Sequence, residues 1–174
     1  MTQRLVIDTS VTRAAGNEAS TDATASSCRD FLKAVLTICH KFVVTPEIQV
    51  EWREHRSRFA STWLTSMDAR KKVIRIAAPD AEGLNERIAQ FSQGNQLKAM
   101  AKDLPFLLAA NATDARVVSL DEEARGLFVA VSAHVGQIRN VVWVNPSRPD
   151  EHPLAWLEED APIQDQRRLG YNPP

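Results

Sequence analysis

The chain has 174 residues, 44% hydrophobic and 25% charged, a composition that excludes global disorder, collagen-like repetition and a small disulfide scaffold. Its net charge of -1, from 21 basic and 22 acidic side chains, excludes a uniformly basic nucleic-acid coat and leaves room for a local basic patch. At roughly 150 residues per domain the length predicts one domain, residues 1–145, followed by a tail, 146–174.

In chain order, Leu5-Val6-Ile7 is short, apolar and β-branched and stops at Asp8-Thr9-Ser10, as a buried parallel strand with a polar C-terminal end does. Residues 13–27 are small and polar without periodicity and read as a loop. Phe31, Leu32, Val35, Leu36 and Cys39 recur at helical spacing, so Cys28 and Cys39 are expected on one helix face. They would lie roughly 16 Å apart along its axis, too far for a disulfide, as buried thiols of a reducing compartment.

Phe42-Val43-Val44 is the second strand, and Thr45-Pro46-Glu47 opens a helix with an N-cap, a proline and an acid in the first turn. Residues 48–100 read as helical, with breaks near Pro79 and Gly94, and Asp103-Leu104-Pro105 reads as the start of a further helix. Val117-Val118-Ser119-Leu120 is the third strand, ending at Asp121. A helix is expected over 122–133 and a fourth strand at Val141–Val144. Six of the nine prolines follow Asn145, which predicts an extended, acidic tail with a short helical piece at Trp156-Leu157, packed on the domain or on a partner. This alternation predicts an α/β fold of three layers, α/β/α, around a parallel sheet of about four strands.

No apolar run approaches the ~18 residues of a membrane span, and Leu5–Ile7 is far short of a signal-peptide core. The expectation is a soluble, cytoplasmic protein. No pair of histidines or cysteines has zinc spacing, and no phosphate-binding glycine loop or G-x-S-x-G elbow occurs. Trp52, Trp63 and Trp143 fall on apolar stripes and read as core. Trp156 is left open for stacking on a base.

Acids sit where a parallel sheet presents its ligand crevice. Asp8 and Asp121 follow strands, Glu51 lies early in the helix after the second strand, and Asp103 opens a helix. Acids in such places also serve as simple caps. Converging carboxylates repel one another unless a cation joins them, and oxygen donors of this kind suit Mg²⁺ or Mn²⁺. Phosphodiester hydrolysis is the matching chemistry. Residues 41–75 hold eight basic against four acidic side chains. Arg53, Arg56, Lys71 and Lys72 are candidate phosphate contacts there, and a solvated helix face is the alternative.

Leu5-Val6-Ile7-Asp8-Thr9-Ser10, Thr45-Pro46-Glu47-Ile48-Gln49-Val50-Glu51-Trp52, Lys102-Asp103 and Val117-Val118-Ser119-Leu120-Asp121 together resemble a PIN domain. That is the metal-dependent nuclease fold found in many toxins of toxin–antitoxin pairs. The resemblance implies Asp8, Glu51, Asp103 and Asp121 as catalytic, metal-binding acids, with Ser10 and Ser119 as hydroxyls supporting them. Glu47 is the alternative to Glu51, and fits better as a charge on the helix dipole. The resemblance further implies an endoribonuclease with RNA ahead of DNA as substrate, an antitoxin partner and a homodimer. Two other functions stay open. One is a PIN-like module that binds RNA or protein without cleaving. The other is an aspartyl-nucleophile phosphatase, disfavoured because Ser10 stands where the second aspartate is needed.

Overall fold

Short β-branched runs cannot bury themselves alone, and here they pair into one parallel sheet. The computed structural model describes residues 2–79, 83–92 and 94–172. Asp80, Ala81, Glu82 and Gln93, within the stretch read as helical, lie outside the described residues, as do Met1 and the tail's Pro173 and Pro174. The strands are β1 (Arg4–Ile7), β2 (Lys41–Val44), β3 (Val73–Arg75), β4 (Arg116–Val118) and β5 (Val142–Val144), in the order β3-β2-β1-β4-β5. Leu5 pairs with Phe42, Val44 with Arg75, Ile7 with Val118 and Val118 with Val144, all in parallel.

Helices cover this sheet in a three-layer α/β/α arrangement. They are α1 (Thr9–Ala14), α2 (Ala23–Thr37), α3 (Pro46–His55), α4 (Arg58–Ala69), α5 (Leu84–Gln90), α6 (Asn95–Asn111), α7 (Glu122–Ser132) and α8 (Pro153–Glu158). The chain moves outward from β1 through β2 to β3, then crosses and continues from β4 to β5. The topological switch therefore falls between β1 and β4, the place where open α/β sheets bind ligands.

Several expectations are corrected. The sheet has a fifth strand: β3 lies inside the stretch read as helical, its three residues too few to show a period. The loop predicted over 13–27 shrinks to 15–22, because α1 follows Asp8 directly and α2 begins at Ala23. Asp22 caps α2, its side chain accepting from the Ala25 amide at 2.8 Å. Cys39 lies beyond the end of α2 and is exposed, whereas Cys28 is buried. Asp103 does not open a helix, because α6 runs unbroken from Asn95 through Pro105. Pro105 has no N–H for the carbonyl four residues back.

The core runs along both faces of the sheet. Phe42 stacks on Trp52 at 4.3 Å, with Trp63 tilted at 5.8 Å from Phe42, and Trp143 is fully buried beside Phe128. Trp156, left open by sequence, is buried as well, its indole donating to the Pro162 carbonyl at 2.9 Å. Its helix, α8, packs on α2. The buried His40 ring accepts from the Gln3 amide at Nδ1, so its Nε2–H donates to the Leu157 carbonyl at 2.9 Å. Beyond α8 the chain runs beside β5, where the Leu169 amide donates to the Val141 carbonyl at 2.9 Å. Among the described residues, no helix is long and apolar enough to cross a membrane.

Candidate carboxylate site

Asp8 leaves β1 at its C-terminal end and sits at the N-cap of α1, only 6% exposed. Two hydroxyls hold it. Ser119 Oγ donates to Oδ2 at 2.8 Å, and Ser10 Oγ donates to the same oxygen. Each hydroxyl in turn accepts a backbone amide, Ser10 from Leu120 and Ser119 from Asp121, both at 3.1 Å. A hydroxyl has one proton to give, and both are given to Asp8. The 3.4 Å approach of the two oxygens is therefore contact rather than a third bond. This lattice ties the ends of β1 and β4 together across the switch point, and no described side chain donates to Asp8 Oδ1. Burial pushes the Asp8 carboxyl up, and the hydroxyls of Ser10 and Ser119 pull it back.

Asp103 comes from α6, which packs against β1 and β4, and is also 6% exposed. Burial, then the charges of Asp8 and Asp121, and more weakly that of Glu51, push its carboxyl up to about 7, against the opposing pull of Lys102. The charges of Asp8, Asp121 and Glu51 thus all bear on Asp103. The four acids are held differently. Asp121 caps α7, accepting from the Ala124 amide at 2.8 Å. Glu51 is half exposed on α3, 3.7 Å from His55 Nε2. Glu47 is exposed in the first turn of α3, where its charge suits the helix dipole.

Burial first, and then the neighbouring charges, raise one acid of an all-oxygen set whose donors would suit a hard divalent cation. The set is not a closed cage. Among the described residues, no three His, Cys, Asp or Glu side chains stand together as a ready metal-binding group. Mg²⁺ and Mn²⁺ sites of the open kind need only one or two carboxylates, with water and substrate phosphate supplying the rest. Asp8 and Asp103 are the pair that would hold such an ion.

The predicted cations separate. Lys72 lies at the opposite, N-terminal edge of the sheet and gives its ammonium to the carbonyls of Leu36, at 2.7 Å, and Ile38. Lys71 is exposed beside it, in a left-handed turn with φ 57°. Arg53 and Arg56 lie near the carboxylate edge, because the neighbouring Trp52 indole donates to the Ile7 carbonyl at 2.9 Å. Sequence reasoning missed Arg75, at the end of β3, and Arg13, which lines an opening with Ser10 and Asp121. Both depend on elements whose pattern was too short to read. Had α1 been placed directly after Asp8, Arg13 would have stood out in its last turn.

No protein-family model matches the chain, and no curated protein sequence matches it.

Proposed function

We propose that the chain is a PIN-like, metal-dependent nuclease that hydrolyses phosphodiester bonds, with RNA ahead of DNA as its substrate. The observation that carries this reading is Asp103, held at about 7 by burial and by Asp8, Asp121 and Glu51 beside the β1/β4 switch point. A buried carboxyl raised further by neighbouring acids at a ligand crevice is poorly explained as a cap. A bound divalent cation supplies polarisation of the phosphodiester and a water of lowered pKa.

The chain's own groups do the rest. Ser10 and Ser119 fix the orientation of Asp8 through Oδ2. Asp103 must give up its proton before the set carries its full charge, and a bound cation would favour that loss. Asp121 and Glu51 add negative charge without being drawn into the buried lattice. A toxin role within a toxin–antitoxin pair follows from the sequence resemblance alone.

The open spacing of the acids favours a second reading, a PIN-like module that binds RNA or protein without cleaving. Incubating the purified chain with end-labelled single-stranded RNA and DNA, under Mn²⁺, Mg²⁺ or EDTA, separates the two. Metal-dependent cutting that disappears in Asp8→Asn supports the nuclease. Cutting retained in Asp8→Asn, or none from the folded chain under either metal, overturns it.

A further inference from the structure

A cavity of 280 Å³ opens beside β2 and β3, between α3 and α4, and three guanidinium groups line it, Arg53, Arg56 and Arg75, against one carboxylate, Asp68. We propose that it holds a phosphodiester of the nucleic-acid strand, away from the scissile bond, and so positions the chain across the carboxylate site. The inference rests on the nuclease reading.

Position and charge carry it. Arg75 pairs in register with Val44, and β2 neighbours β1, so Arg75 stands two strand spacings from the end of β1, roughly 10 Å. Among the described residues, Arg53 has no hydrogen-bond or ion-pair partner. Arg56 spends only its Nε, on Ser61 Oγ at 3.0 Å, and Arg75 gives Nη2 to Asp68 at 2.8 Å. Guanidinium donors therefore remain for an anion. The rings in the wall are committed to each other, with Phe42 stacked on Trp52 and Trp52 1% exposed. The cavity thus offers charge without a face for a base, which fits a sequence-independent grip on phosphate. The larger cavity under the tail differs. Its arginines face at least as many carboxylates, with Arg125 on Glu151 at 2.5 Å and Arg148 on Asp150 at 2.9 Å, whereas in the smaller cavity, among the described residues, only Arg75 is ion-paired, to Asp68.

The test uses the full chain carrying Asp8→Asn, so that the probe survives, with fluorescein-labelled single-stranded RNA followed by anisotropy across a range of NaCl concentrations. Arg53→Gln should flatten the plot of log affinity against log salt by about 0.7, the contribution of one phosphate contact on a single strand. Arg53→Lys should restore the slope, and Arg75→Gln should repeat the loss. Arg58→Gln makes the same charge change in a separate groove with Lys33 and Phe59, and should leave the slope alone.

Equal slopes for Arg53→Gln and Arg58→Gln overturn the inference. So does an Arg53-dependent heat of binding for inorganic phosphate alone with the RNA slope unmoved, which would mark a free-anion site. Displacement of RNA by a poly-glutamate peptide with the same Arg53 dependence would reassign the cavity to an acidic protein. A parent chain that cleaves, with a slope blind to Arg53, fails this inference alone. A slope that responds in a chain that never cleaves supports the subsite and overturns the nuclease reading.

Discussion

Replacing Asp103 with asparagine removes a charge that the fold resists. The carboxyl stands at about 7 rather than its ordinary 3.8, through burial first and then through Asp8, Asp121 and Glu51. An interval of that size corresponds to about 4 kcal/mol of folding free energy once the group is ionised. Relaxation around the group and water reaching it reduce this, and a recoverable ~1–3 kcal/mol is the working figure. Below the unfolded value the carboxyl is neutral in both states and the native stability is at its full level. Between 3.8 and about 7 the folded chain keeps the proton that the unfolded chain has released, so stability falls as pH rises through this window. Above it the penalty is constant. Asparagine stands in for the neutral acid, so variant and parent should melt together at about pH 4 and separate by about pH 8. For a chain of this length the gain corresponds to roughly 3–10 °C in Tm. Thermal unfolding by circular dichroism in EDTA reads it directly. A Tm difference that is the same at both pH values, or a variant less stable at the higher one, would refute the electrostatic coupling.

Two other substitutions test the frame around the site. Trp156→Ala removes a buried ring capped by Arg167 at 5.8 Å and should cost ~3–5 kcal/mol in urea unfolding; a cost below ~1 kcal/mol would mean that the tail is a loose appendage. Lys72→Met removes the ammonium from the Ile38 carbonyl and leaves Leu36 with only Arg70 Nη1 at 3.3 Å, and should cost ~1–3 kcal/mol with RNA affinity unchanged. A loss of RNA affinity at unchanged stability would instead return Lys72 to the nucleic acid.

What sequence could show depended on how much of each signal was local. The strands Leu5–Ile7, Phe42–Val44 and Val142–Val144 are continuous apolar runs, and the Thr45-Pro46 cap is a chemical mark, so these elements were legible. β3 was not, because Val73–Arg75 is a three-residue edge strand flanked by Lys72 and closed by Arg75, and edges carry charge for their own reasons. α1 and the first turns of α2 were hidden by small polar residues that give no apolar period, and only Asp22 marked the start. In the candidate site, Asp8 and Asp121 were visible as acids ending strands. Asp103 was found for a wrong reason, as a helix start, whereas it is buried within α6 and comes to the switch point through packing of that helix on β1 and β4. Lys72 looked like part of a basic run, and only the parallel register shows that it lies at the far edge of the sheet. Arg75 was visible as a charge and not as part of a cavity, because the cavity needs β3 to exist.

The central claim is that Asp8 and Asp103 hold a divalent cation, with Asp121 and Glu51 adding negative charge around it. Calorimetric titration of Mn²⁺ into the chain at about pH 7, in two buffers of different ionisation heat, tests it most directly, because ligands must lose their protons to bind metal. The account predicts saturable binding with release of a fraction of a proton from Asp103, lost in Asp8→Asn, and without proton release in Asp103→Asn. An absence of binding heat, or binding that survives Asp8→Asn unchanged, would contradict it.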